Sequence, residues 1–144
     1  MKKKVRIALF IFLGLIALIF ILKNVNSPER VTMRYFNTHK EELMAESLEY
    51  VTSGNISSDI DIKRSIWYGE HTIIEYTVLC KGFASASQYY GVFYSIDDIP
   101  VSFQNSNVSL DRIADGVWEW KEAGDNRGLV KKIEDNWYYF EASF

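Results

Sequence analysis

The chain begins with an unbroken apolar run, changes to helical spacing of its hydrophobic residues, and then alternates with a period of two to its end. The apolar run is Ile7–Leu22, IALFIFLGLIALIFIL, which contains no charge, Asn, Gln or Pro. Sixteen helical residues span roughly 24 Å, short of a hydrocarbon core of about 30 Å. Val5 and the snorkelling stems of Arg6 and Lys23 supply the difference. The run predicts an uncleaved transmembrane helix, because no small-x-small cleavage pattern follows Phe20-Ile21-Leu22-Lys23 and no cysteine stands there for lipid attachment.

The polar stretch Lys23–Arg30 carries Pro28 and reads as a tether extending to about residue 32. Helical spacing follows. Thr38-His39-Lys40-Glu41 has the form of a capping box, Leu43, Met44, Ser47, Leu48 and Val51 fall on one face, and Gly54 supplies a stop. On this reading Leu48 is a core position and Glu42, Glu46 and Glu49 face water.

From Asn55 the period is two. Ile60, Ile62 and Ile66 form one face of a strand, Tyr68–His71 is a turn, and Ile74, Tyr76, Val78 and Cys80 form the apolar face of a second strand. Tyr89–Ser95 is apolar on both faces. A short strand is expected near Val101–Phe103, another at Val117–Lys121, and a hairpin from Leu129–Ile133 and Trp137–Phe144 around Glu134-Asp135-Asn136. One helix ahead of six or seven strands, with no helix between them, predicts an α+β domain: an amphipathic helix packed on a curved antiparallel sheet. Cystatin-like and NTF2-like rolls share that layout, by analogy alone.

Charge orients the chain. Residues 1–30 hold six Lys/Arg and one acid, leaving ten and eighteen for residues 31–144, so the two parts carry net charges of +5 and −8. Cations ahead of the apolar run place residues 1–6 in the cytoplasm and residues 33–144 outside it. An acidic domain argues against nucleic acid as a partner.

Catalytic and metal chemistry find little footing. The single cysteine, Cys80, is expected to be a buried, inert thiol. His39, His71 and Cys80 have no metal-ligand spacing, Asp97-Asp98 before Pro100 is turn chemistry, and no EF-hand, phosphate loop or nucleophile elbow occurs. The expectation is a non-enzyme without cofactor or metal. The aromatic series remains as binding chemistry. Trp118 and Trp120 lie two apart on one strand face, with Tyr89, Tyr90 and Trp137 nearby in the series. If that face is outward, the two indoles form a ledge about 6–7 Å long for a sugar or extended peptide. That case requires Trp118 or Trp120 to be more than a third exposed.

The run Tyr89–Pro100, YYGVFYSIDDIP, together with Asp135–Glu141, DNWYYFE, resembles short single-anchor membrane proteins of Clostridia and related Gram-positive bacteria, a group of uncharacterised hypothetical proteins. The resemblance implies an extracytoplasmic domain in a bacterium and transfers no catalytic residue. The functional expectation is a membrane-anchored, extracytoplasmic binding domain whose partner is an envelope protein or wall glycan. An accessory subunit assembled through Ile7–Leu22 and a small wall-acting enzyme are the alternatives.

Overall fold

The computed structural model describes residues 12–16, 25–57, 60–83 and 86–144. Most of Ile7–Leu22 therefore lies outside the described residues. Its Phe12–Ile16 portion is helical and exposed. Among the described residues no helix is long and apolar enough to cross a membrane.

The soluble helix, α1, spans Pro28–Ser53 and starts ten residues ahead of the expected capping box. Ser27 is its N-cap, accepting from the Arg30 amide at 3.4 Å, with Pro28 in the first turn and Glu29 acidic beside it. These are ordinary start signals, so the second half of the expected tether is helix, and Thr32 is fully buried. At the expected start, Thr38 Oγ1 donates back to the Arg34 carbonyl at 2.9 Å and His39 leaves helical geometry (φ −109°, ψ 15°). The Thr38 signal marks a kink inside one helix. Gly54 ends the helix as expected, at φ 71°, its amide bonded to the Tyr50 carbonyl.

Seven strands follow: β1 (Lys63–Trp67), β2 (Ile73–Lys81), β3 (Gln88–Ser95), β4 (Asp111–Ala114), β5 (Val117–Lys121), β6 (Arg127–Glu134) and β7 (Trp137–Ser143). All pairings are antiparallel, in the order β1-β2-β3-β7-β6-β5-β4. The sheet is thus two meanders joined along β3 and β7. The α+β class and the strand count match the hydrophobic pattern. Val101–Phe103, expected as a strand, instead runs into a single 3-10 turn, Phe103–Asn105, while β4 forms further along.

Both sheet faces are covered in part. On the helix side, Phe36 and Leu43 of α1 pack with Ile74, Tyr76, Val92, Tyr94 and Trp137. On the other side the 96–110 connection lays Val101 and Phe103 against Ile73, Phe93, Trp120, Val130, Tyr138 and Phe140. Asp98 pins this second cover. Held at φ 55°, it receives Lys132 Nζ at 2.6 Å, the Asn136 amide at 2.8 Å and the Tyr138 hydroxyl at 2.9 Å.

Polar contacts mark the path of α1. Glu29 pairs with Lys131 of β6, Phe36 packs on Trp137 of β7, Ser47 bonds Tyr76 of β2, and Glu46 pairs with Arg64 of β1. The helix therefore runs across the strands. Leu43, Met44 and Ser47 of the expected helix face do turn to the sheet, but this path corrects the rest of it. Glu46 is 1% exposed, whereas Leu48 and Val51 are 46% and 45% exposed. The physical reason is Arg64, 2.9 Å from Glu46 and distant in sequence, which makes burial of a carboxylate tolerable. Cys80 is also corrected: it is exposed. A bulge between Thr77 and Leu79 reverses the alternation, and the strand end projects past both covers.

Three substitutions report on stability. Arg64→Ala removes the cation paired with the fully buried Glu46 carboxylate and should cost about 3 kcal/mol, while Leu48→Ala should cost under about 1 kcal/mol in chemical denaturation. Asp98→Ala should cost about 1–3 kcal/mol at neutral pH. The Lys132 hydrogen bond, with the Asn136 amide and Tyr138 hydroxyl, holds the Asp98 carboxyl below its ordinary value of 3.8. Its contribution is therefore present above that value and lost as pH falls through the lower folded pKa, so the difference between wild type and Asp98→Ala should shrink in acid.

Candidate functional site

α1 leaves the strand ends at Gln88, Ser143, Arg127 and Lys121 uncovered on its own side of the sheet. The register sets the residues there in rows. Gln88, Ser143, Arg127 and Lys121 pair across β3, β7, β6 and β5 to form a first row. Tyr90, Glu141, Leu129 and Glu119 form a second row two residues along each strand. A third, Val92, Tyr139, Lys131 and Val117, lies where α1 begins its cover through Glu29 and Lys131. The first two rows, with the backbone of Gly128 and Ala142, line a groove of about 250 Å³.

The groove carries both charge signs. Lys121 Nζ donates to Glu119 Oε1 at 3.0 Å, so those two compensate each other. Glu141 Oε2 accepts from the Tyr139 hydroxyl at 3.1 Å, and the Tyr90 hydroxyl donates to Gln88 Oε1 at 3.0 Å. Burial, and then the Glu141 carboxylate, push the Tyr139 phenol far above its ordinary range, so it stays a donor. The Arg127 side chain has no ion-pair or hydrogen-bond partner among the described residues. A guanidinium and a carboxylate, Arg127 and Glu141, thus line one groove, a pairing of charges that suits a ligand bearing both a carboxylate and an ammonium. No thiol, imidazole or activated hydroxyl lines this groove.

A larger cleft of about 690 Å³ opens on the other flank of α1, lined by Tyr35, His39, Glu42, Glu46, Glu49 and Asp61. Burial, then Glu42, Asp61 and Glu46, raise the Tyr35 phenol, the mark of a negative field. Its acids are largely engaged within the fold: Glu42 with His39 at 3.0 Å, Glu46 with Arg64, and Glu49 with the Ser57 hydroxyl at 2.6 Å. That is why the groove, with its uncommitted Arg127, is the stronger candidate despite its smaller volume. Among the described residues no group of three or more His, Cys, Asp or Glu is arranged to hold a metal ion.

The aromatic residues singled out in the sequence divide between the two faces. Trp118 and Trp120 do share a face, but it is the one beneath the 96–110 connection. Trp120 is 2% exposed and tilts against Phe144, and Trp118 is half-buried over Tyr138 at 6.1 Å. No open Trp ledge exists. Tyr89 stacks on Phe103 at 5.2 Å on that same face, and Trp137 is fully buried under Phe36. Only Tyr90 of the five lines the groove. Most of the remaining groove residues are polar, and they are scattered over four strands. The usable signal for them was strand parity: the positions alternating with a buried aromatic face must point the other way.

Glycine makes the inward Trp possible. A Cβ at Gly128 would lie 2.4 Å from both the Glu141 carbonyl oxygen and the Trp120 indole. Gly128→Ala should therefore destabilise by about 1–3 kcal/mol in a denaturation experiment, and a neutral result would show that Trp120 does not pack there. Compared with protein-family models, curated proteins and solved structures, the chain shows no match.

Proposed function

We propose that this chain is a single-pass membrane protein of the bacterial envelope whose extracytoplasmic α+β domain is a binding module, not an enzyme. The groove beside α1 takes a peptide segment bearing a carboxylate and an ammonium, presented by an envelope protein or by wall glycan with its attached peptides. The observation that carries this reading is the two-row grid of β3, β7, β6 and β5, in which Arg127, its side chain uncommitted, lines the same groove as Glu141. Strand-borne groups hold their spacing without an ordering cost at binding, which favours affinity.

The anchor rests on Ile7–Leu22 and the cations ahead of it. Because α1 begins at Pro28, few residues separate the apolar run from the domain, and the domain is held close to the bilayer. A reporter active only outside the cytoplasm, fused after Phe144, should give signal, with Lys2–Arg6 retained in the mature protein. A soluble product starting near Ser27 would contradict the anchor.

Calorimetry with a short peptide carrying free amino and carboxyl termini tests the groove. Arg127→Glu should weaken binding at least ~10-fold, equivalent to about 1.4 kcal/mol. Arg112→Glu, an exposed cation of β4 outside the groove, should leave it unchanged. Equal losses, or no binding by wild type, would overturn the assignment.

A further inference from the structure

Glu75 is a carboxylate that the binding groove does not use. It lies on β2 facing the 96–110 connection and is 3% exposed. Its Oε2 accepts the Gln104 backbone amide at 3.3 Å, and Thr77 Oγ1 approaches its Oε1 at 3.5 Å. Gln104 and the next residue, Asn105, both occupy left-handed backbone (φ 56° and 51°), uncommon for residues with a Cβ. Asn105 is fastened in turn to the His71 carbonyl through its side-chain amide at 2.7 Å. The turn that caps this half of the sheet is therefore held in a strained shape by a buried carboxyl at one residue and a carbonyl of the β1–β2 turn at the next.

We propose that Glu75 is a proton-sensitive latch on the Phe103–Asn105 turn: neutral, it stays buried and the turn remains closed over β2; ionised, it favours an open turn in which the carboxylate reaches water. The surroundings offer the charged form little compensation. Lys63 of β1 is the cation that bears on it, its partner residues Ser65 on β1 and Phe93 on β3 carry no charge, and the turn contributes only the Gln104 amide. Burial, outweighing that amide, Lys63 and the hydrogen bonds of the Thr77 hydroxyl and the Trp67 indole, raises the Glu75 carboxyl from 4.5 to about 7.

The sign follows from linkage. The closed form binds its proton more tightly than the open form, so closure is fully favoured below about pH 4.5. Opening gains weight as pH rises toward 7 and levels off above it. The gain is at most about 300-fold, the factor that separates the two pKa values.

The latch is tested on the full chain by the hydrogen-exchange protection of the Gln104, Asn105 and Ser106 amides, corrected for intrinsic exchange, between pH 5 and pH 8. Protection should fall by roughly one to two orders of magnitude in wild type, while amides in the centre of β3 hold. In Glu75→Gln it should stay at the low-pH level throughout. A flat wild-type profile, or the same slope in Glu75→Gln, would overturn the proposal. Should that variant fail to fold, the 13C titration of the Glu75 carboxyl in wild type decides: a midpoint near 7 supports the latch and one near 4.5 overturns it.

Discussion

One helix cannot cover a seven-stranded sheet. At about 4.8 Å between strands the sheet is roughly 29 Å wide, whereas a helix with its side chains is only about 10–12 Å across. A helix laid along the strands would shield two or three of them and leave the rest wet. α1 instead lies across the strands. Its 26 residues, roughly 39 Å long, reach from β6 to β1. Every strand on that path gains some cover, at the expense of the strand ends on either flank. The open grid at Gln88, Arg127 and Lys121 is the direct consequence.

What fixes the crossing is apolar packing, with polar contacts choosing the angle. Phe36 and Leu43 close over Trp137, Tyr94, Val92 and Tyr76, and burial of such rings supplies most of the gain. The half-exposed pairs Glu29–Lys131 and Lys40–Glu134 are worth at most about 1 kcal/mol each. Glu46–Arg64 differs because one partner is sealed from water, so losing the other is costly even where the intact pair adds little. It acts as a register mark between α1 and β1. Among the described residues no α-helix covers the opposite face. The 96–110 connection takes that place, and three of its residues, Asp98, Gln104 and Asn105, are held in left-handed backbone.

Elements whose signal is local were legible in the sequence. The β6–β7 hairpin, with Asn136 at φ 65°, the β5 alternation and the Gly54 stop all depend on neighbours a few residues away. Features decided by distant partners were not. Ser27-Pro28-Glu29 is a sound helix start, but the following polar residues hid it, and the stronger Thr38 pattern belonged to a kink. Leu48 looks like core until β1 supplies Arg64 to its neighbour two residues back. The direction of Trp118 and Trp120 turned on what covers their face, which no alternation pattern contains. Gly91 and Gly128 carried that information faintly: each leaves space that Phe140 or Trp120 fills, a sign that the ring side of β5 and β7 is packed. Of the groove, only Tyr90 was visible as a candidate, since polar residues 88, 119, 121, 127 and 141 come together only through register.

The central claim is that recognition happens on the part of the helix-side face that α1 leaves open. Mapping amide chemical shifts during titration with a short peptide bearing free termini tests it most directly. The account predicts changes clustered at Gln88, Tyr90, Arg127, Leu129, Glu141 and Ser143, with the Tyr35–His39 flank and the Trp118–Trp120 face undisturbed. Changes centred on either of those regions, or a titration that moves none of the grid, would contradict it.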